Sequence, residues 1–153
     1  MGPLEDRSFK QRPSENEWSV AEILCHLCLV EERVLNVLEK SLTREPQKAG
    51  LLKKLIPMSL VASRAVRVKA PQGATPQNPL DKDAGLEAFN TVREKLKALY
   101  LTQGKSRLRQ VCFKHPFMGA IDGVAAVSFV GYHELRHYKQ ICEVLRKQDF
   151  AEN

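Results

Sequence analysis

Hydrophobic residues recur at helical spacing in three segments, at about residues 20–42, 81–104 and 122–147. The first segment opens with Ser19 followed three residues later by Glu22, which matches a capping box at a helix N-terminus. The second begins near 81 or 83 and the third follows a short connector. Three amphipathic helices of this length predict an all-α fold, in the form of a helical bundle.

The stretches between these helices are less regular. Residues 51–68 look helical in part, but Pro57 should break or kink the chain because proline lacks a backbone N–H. Residues 69–80 contain three prolines and one glycine and are predicted to form a loop. The connector at 115–119 shows no hairpin pattern, so no β-structure is expected.

A chain of 153 residues with 43% hydrophobic and 27% charged residues is typical of one globular domain. We expect a single domain over 1–153, with its core at about 18–147. No stretch reaches the roughly 18 apolar residues that a membrane span needs, and residues 1–13 are too polar for a secretory signal. The predicted location is therefore cytoplasmic, with no membrane partner.

Cys25 and Cys28 form a C-x-x-C pair, which could indicate redox chemistry or half of a zinc site. The pair begins six residues after Ser19, too far from the helix N-terminus for much lowering of a thiol pKa. No second C-x-x-C completes a four-thiolate site. Packing as small buried residues is the favoured interpretation.

The formal charge of +6 raises a nucleic-acid partner as an alternative. The basic residues are scattered along the chain and many lie among acidic ones. Solvated helix faces explain most of this charge, so nucleic acid is a disfavoured partner.

Three of the four histidines lie on inward-facing helical stripes. His133 and His137 are four residues apart, which places both imidazoles on one face of the last helix. His26 shares the buried stripe of the first long helix with Ile23 and Val30. The spacing alone fits either a shared metal ion or separate hydrogen-bonded core histidines. His115 precedes a proline and is expected to shape the connector.

Residues 133–137 also match H-E-x-x-H, the zinc protease motif in which the glutamate, here Glu134, acts as general base. Only sixteen residues follow His137, which leaves little chain for a downstream third ligand. The predicted fold also lacks the strands that hold a peptide substrate. A zinc protease is therefore disfavoured, and Glu134 is expected to face solvent.

Three motifs in order resemble the DinB/YfiT-like superfamily over about residues 18–147. They are Trp18-Ser-Val-Ala-Glu-Ile-Leu-Cys-His26-Leu, His115-Pro-x-x-Gly119, and the H-x-x-x-H-x-x-Q-I signature from His133 through Gln140. The resemblance implies a four-helix bundle with a divalent metal, most often nickel or zinc, held by His26, His133 and His137. It also implies open coordination positions on the metal and a homodimer.

The start of the chain departs from the family pattern. Members usually carry a full helix before the Trp-Ser cap, whereas only residues 1–17 precede it here. We expect a shortened N-terminal helix. Either residues 51–68 or a partner subunit would then complete the bundle.

Characterised members of the family include thiol-dependent S-transferases, a mycothiol-dependent isomerase and proteins described as metal-dependent hydrolases. The leading hypothesis is a metal-dependent enzyme of the thiol S-transferase or hydrolase type, acting on a small molecule such as a low-molecular-weight thiol. The alternative is a non-catalytic stress protein that binds a metal or a ligand. Gln140 could contact a ligand or fill the bundle, and Glu22 could orient His26 but more simply caps its helix.

Overall fold

The computed structural model describes residues 6–45, 57–65 and 69–151, with side chains as far as residue 148. Its elements are α1 (Asp6–Lys10), α2 (Val20–Leu42), α3 (Met58–Val61), α4 (Lys82–Arg109), β1 (Cys112–His115), β2 (Gly119–Asp122) and α5 (Gly123–Ala151). The all-α prediction is confirmed, because three long helices form the body of the protein and the sheet is small.

The predicted capping box begins α2. The Ser19 hydroxyl accepts a hydrogen bond from the Glu22 backbone N–H at 3.2 Å, and the Glu22 carboxylate accepts one from the Ser19 N–H at 2.9 Å. These two bonds satisfy N–H groups that have no partner inside the helix. Glu22 also pairs with Arg12, which ties the chain before the cap to the start of α2.

The second long helix continues past its predicted end. Gly104 adopts φ 71° and ψ 160°, which breaks the helical geometry, but the chain resumes helix as far as Arg109. A glycine permits this left-handed backbone without a Cβ clash. Gly104 therefore marks a kink inside α4. The sequence pattern predicts the end of the helix at this glycine, which is wrong.

A hairpin joins α4 to α5, and the expectation that the connector lacks β-structure is wrong. Strands β1 and β2 pair antiparallel, with Cys112 opposite Asp122 and His115 opposite Gly119. Gly119 has φ 70° and lets the chain reverse. Each strand spans only four residues, too short for an alternating pattern to show against the neighbouring helices.

Helices α2 and α4 run parallel, and α5 runs antiparallel to both. At one end Gly85 of α4 lies against Leu24 of α2, and at the other the Arg107 guanidinium donates to the Leu42 carbonyl at 2.9 Å. Parallel neighbours require the chain to cross the length of the bundle between them. We name the segment between α2 and α4, residues 43–81, the crossover; its described parts are 43–45, 57–65 and 69–81.

Each of the two segments whose helical structure the sequence left open, residues 1–17 and 51–68, contains a short helix in its described part. Helix α1 spans five residues and packs on α2 with Phe9 buried, as expected for a shortened N-terminal helix. Helix α3 starts directly after Pro57 and packs against α5. The rest of the predicted segment, at 51–56 and 66–68, lies outside the described residues.

Two apolar clusters form the core. The first, beside the hairpin, centres on Leu38, Leu108 and Phe129. The second, beside α1, centres on Ile23 and Leu24 of α2 and on Val144 of α5. Between them lies a polar layer that consists of His26, Glu31, Arg93, His133, Glu134 and His137.

Candidate metal centre

The antiparallel packing of α2 and α5 brings the three predicted histidines together. The Nε2 atom of His133 lies 3.3 Å from Nε2 of His26 and 3.1 Å from Nε2 of His137. One ligand atom from each of the three lies within 4.8 Å of the others. His26 and His137 are buried, and His133 is partly exposed. The four-residue spacing brings His133 and His137 together on α5. The packing of α2 against α5 places His26 beside them.

Two of the imidazoles are oriented by a hydrogen bond on the opposite side of the ring. Nδ1 of His26 donates to the Ala74 carbonyl at 2.6 Å, and Nδ1 of His137 donates to the Gln140 side-chain oxygen at 2.9 Å. A proton on Nδ1 leaves the Nε2 lone pair of the neutral ring directed into the cluster. This arrangement of a metal-facing nitrogen and an outward N–H is typical of metal-binding histidines.

The donor set fits a divalent transition metal. Imidazole nitrogens bind such ions at about 2.0–2.1 Å, so two nitrogens on one ion lie about 3.0–3.4 Å apart. The two Nε2 separations of 3.1 and 3.3 Å lie in that interval. Facing lone pairs repel unless a cation or a proton lies between them. The cluster could therefore hold one metal ion.

The electrostatic environment keeps the cluster neutral. Burial, with smaller contributions from the nearby His137 and His26, lowers the pKa of His133 to about 2. Burial also lowers the pKa of His137 to about 3, again with a contribution from His26. The pKa of His26 is lowered by burial as well. Neutral imidazole is the form that binds metal, so at neutral pH no proton has to leave first.

Glu134 is only partly exposed, although it was expected to face solvent. Its carboxylate pairs with Arg93 of α4, which donates a hydrogen bond to it at 2.8 Å. Arg93 also donates to Glu31 of α2 at 2.7 and 3.1 Å. Glu134 thus joins α5 to the other two long helices through Arg93. Its ion pair leaves it poorly placed to act as a general base.

Glu22 has one of the two roles expected of it, whereas Gln140 has a role that neither of its alternatives, contacting a ligand or filling the bundle, describes. Gln140 orients His137, as described above. Glu22 caps α2, and the partner that orients His26 is the Ala74 carbonyl in the 3-10 turn Gln72–Ala74 of the crossover. Sequence reasoning missed Ala74 because a main-chain carbonyl leaves no residue signal. It missed Arg93 although a charged side chain lies there between the inward-facing Val92 and Leu96.

Aromatic rings surround the cluster. Trp18 lies against His26 with ring centroids 5.0 Å apart, and Phe129 stacks on His133 at 5.3 Å. The buried His115 also packs on Phe129, with ring centroids 4.4 Å apart, and its Nδ1 accepts the Phe117 backbone N–H at 3.3 Å. His115 therefore shapes the hairpin turn, as expected for the connector, and lies one ring away from the cluster.

The cysteines of the C-x-x-C pair are partly exposed on α2, not fully buried as the favoured interpretation predicts. Cys25 and Cys28 are both free thiols. Burial, together with the negative charge of Glu31, raises the pKa of Cys28 to about 11, so its thiol stays protonated at neutral pH. A protonated thiol is a poor nucleophile and a poor metal ligand.

Comparison with known proteins agrees with this architecture. A sequence profile of the DinB superfamily matches residues 1–141. The chain belongs to the DinB superfamily. The match begins at residue 1, so it includes the shortened α1. This DinB-superfamily chain is also 27% identical to the uncharacterized protein YuaE of Bacillus subtilis (strain 168), over 97% of the chain and 90% of that protein. No solved structure matches the chain.

Within the described residues, none of the helices combines the length and apolarity that crossing a membrane requires.

Proposed function

We propose that this DinB-superfamily protein binds one divalent metal ion, nickel or zinc, through His26, His133 and His137. The observation that carries the proposal is the convergence of three Nε2 atoms, two of them with the opposite Nδ1 already committed to a hydrogen bond. Structural zinc sites are closed by four protein ligands. The group found among the described residues has three, which supports a site that also takes an exogenous ligand.

We further propose that the protein is a metal-dependent enzyme of the thiol S-transferase or hydrolase type, acting on a small molecule in the cytoplasm. A bound divalent ion would supply positive charge that stabilises the deprotonated form of a thiol or a water molecule. A thiol ionises near pH 8.5 and bulk water near 15.7, so a thiol needs the smaller shift. Glu134, the adjacent carboxylate, is held by Arg93. A chemistry that needs little help from a base is therefore favoured, which supports the thiol reaction.

Elemental analysis tests the metal site. The wild-type protein, a His26→Ala variant and a His115→Gln variant are purified under metal-replete conditions. About one equivalent of nickel or zinc is expected in the wild type and in His115→Gln, the histidine outside the cluster. His26→Ala should lose most of it. A wild-type protein without stoichiometric metal, or a His26→Ala variant that retains it, would refute the site.

A substrate panel tests the reaction. Metal-loaded protein is incubated with low-molecular-weight thiols and electrophiles, and in parallel with ester and amide substrates. Thiol consumption that requires metal and is lost in His26→Ala is expected. Turnover confined to the esters and amides would favour the hydrolase. No turnover in either arm, with metal present, would favour a non-catalytic metal-binding protein.

We propose that the protein forms a homodimer through the outer face of α5. Tyr132, Leu135 and Tyr138 lie on this face at 39%, 43% and 64% exposure. A second copy that covers these side chains would remove their apolar surface from water. Light scattering of the wild type should give a molar mass twice that of one chain. The Leu135→Glu variant should give the mass of a single chain. A monomeric wild type would refute the dimer without affecting the metal proposal.

A further inference from the structure

Residues 69–80, near the end of the crossover, contain a single buried residue, and we name this segment the strap. The buried residue is Ala74, at 2% exposure. Pro71, Pro76 and Pro79 have no backbone N–H, so few main-chain hydrogen bonds stabilise the strap. Segments with few buried contacts and few such bonds open at a small free-energy cost. The strap therefore depends on what holds Ala74.

Ala74 docks the strap onto α2. Its N–H donates to the Pro71 carbonyl at 2.8 Å, which closes the 3-10 turn, and its carbonyl accepts from Nδ1 of His26 at 2.6 Å. A further contact, from the Cys25 thiol to the Gln77 carbonyl, is long at 3.9 Å and weak because a thiol is a poor donor. A buried carbonyl without a partner costs free energy. The docked strap therefore requires a proton on Nδ1 of His26.

The histidine cluster offers that proton a second position. Nε2 of His26 lies 3.3 Å from Nε2 of His133, so a proton on Nε2 would form a hydrogen bond between the two rings. A neutral imidazole carries one proton, and in this tautomer Nδ1 becomes an acceptor. It would then face the Ala74 oxygen, a second acceptor, and the bond that holds the strap would be lost. Ring pairing within the cluster and docking of the strap therefore compete for one proton.

A divalent ion bound by the cluster removes this competition. Coordination uses the lone pair of Nε2, so the proton of His26 stays on Nδ1. The positive charge also strengthens the Nδ1–H as a donor, and charge-assisted hydrogen bonds are about twice as strong as neutral ones. Linkage requires the reverse effect as well, so a docked strap raises the affinity for the ion by the same factor.

We propose that metal binding and docking of the strap onto α2 are coupled through the hydrogen bond from His26 to Ala74. The inference rests on the proposed metal site and adds a conformational response to it. The metal-bound protein holds the strap in place, and the metal-free protein releases it more often. Metal occupancy thereby changes the outer surface of the protein, where most residues of the strap are exposed.

Hydrogen–deuterium exchange of the full chain, resolved by residue with NMR, tests the coupling. The reporters are the N–H groups of Ala74 and Thr75, which donate within the turn to the carbonyls of Pro71 and Gln72. Protein with a chelator is compared with protein saturated with zinc, and calorimetric titration establishes that zinc binds. Exchange at both reporters should slow by about tenfold on zinc loading, since a charge-assisted bond replaces a neutral one.

A matched control lies elsewhere in the crossover. The N–H groups of Leu60 and Ser63 also close a short turn, at 2.9 and 3.0 Å from the carbonyls of Pro57 and Leu60. Within the described residues this turn is held to α5, where Lys139 donates to the Ala62 carbonyl at 3.3 Å, and not to a histidine. Its exchange should be equal with and without zinc.

The reciprocal experiment measures metal affinity by competition with a chelator. Ala74→Leu enlarges the side chain at the buried position and should displace the strap, whereas Gln72→Leu places a leucine at an exposed position of the same turn. Ala74→Leu should raise the dissociation constant of zinc by about tenfold, the same factor as in the exchange experiment, and Gln72→Leu should leave it unchanged. In Ala74→Leu, zinc should no longer slow the exchange of the Thr75 N–H.

The outcomes separate the coupling from the metal site. Equal exchange at Ala74 and Thr75 with and without zinc would overturn the coupling while leaving the metal site intact. An equal slowing at Leu60 and Ser63 would overturn it as well, because it would indicate general stabilisation. If the titration shows no zinc binding, both proposals are refuted. If Ala74→Leu fails to fold, the wild-type comparison decides, because it needs no substitution.

Discussion

Arg93 of α4 donates two hydrogen bonds to the Glu31 carboxylate of α2, at 2.7 and 3.1 Å. This pair lies in the same polar layer as the three histidines. Glu31 is 1% exposed, so this carboxylate depends on Arg93 in place of water. Burial raises the pKa of Glu31, and the hydrogen bond from Arg93 opposes that change. Arg93 also donates a hydrogen bond to Glu134 of α5. These contacts join the three long helices at the level of the histidine cluster.

Arg93→Met should therefore destabilise the protein strongly. It leaves a buried carboxylate without its partner, which costs about 3 kcal/mol or more. Urea denaturation of the metal-free protein measures the free energy of unfolding. The double variant Arg93→Met/Glu31→Gln should recover much of the loss because the uncompensated charge is gone. A loss below about 1 kcal/mol in the single variant would contradict this role.

Gln140→Leu should weaken metal binding while leaving the three histidines in place. Without the Gln140 oxygen, Nδ1 of His137 loses its acceptor and the ring loses its fixed orientation. Loss of such a hydrogen bond typically lowers metal affinity by about 10–100-fold. Competition with a chelator gives the dissociation constant. Gln140→Glu should keep the affinity, and Tyr138→Phe on the exposed face is the control that should not change it.

The metal-free protein should lose stability in acid through its histidines. In the unfolded chain histidine titrates near pH 6.5, whereas burial lowers the folded pKa of His133 to about 2 and that of His137 to about 3. Between these values the unfolded state binds more protons, so the free energy of unfolding falls as the pH drops below about 6.5. The slope should be on the order of 1 kcal/mol per pH unit for each histidine.

Urea titrations at several pH values between 7 and 4 in the presence of a chelator measure this slope. The variant His133→Gln/His137→Gln should show a shallower dependence. An equal slope in both proteins would assign the acid sensitivity to other groups.

Two glycines form a matched pair that separates backbone strain from steric contact. A Cβ added at either Gly104 or Gly131 meets nothing within 4 Å. Gly104 has φ 71°, so Gly104→Ala should destabilise the protein by about 1–3 kcal/mol. Gly131 lies inside α5, where Gly131→Ala should be neutral or stabilise by about 0.5–1 kcal/mol. Thermal melts of the two variants give both values, and opposite signs are expected. Equal shifts would show that the kink at Gly104 is not required.

Much of the fold follows from local sequence signals. The capping pair Ser19 and Glu22 fixes the start of α2, and the four-residue spacing of His133 and His137 fixes their common face. These features depend on residues close together in the chain. The position of His26 against that pair depends on the packing of two helices, and the family motifs supplied it where periodicity alone could not.

What the sequence pattern missed depends on contacts over long separations or on the backbone. The partners of Arg93 lie 62 and 41 residues away in the chain, so no local window could identify them. The hairpin strands are each four residues long. They lie between α4 and α5, whose helical spacing of apolar residues masks so short an alternation. Gly104 was misassigned because a left-handed glycine has the same sequence signal at a kink and at a helix end.

The hydrogen bond from His26 to the Ala74 carbonyl limits how this site could be transplanted. Grafting three histidines onto another antiparallel helix pair would reproduce the ligands but leave one ring free to rotate. The recipient scaffold would also need a buried loop that presents a carbonyl at the distance found here, 2.6 Å from Nδ1. Residue 74 itself could be any small side chain that fits its 2% exposed position. For protein design, the crossover is thus part of the binding site through the route of its main chain.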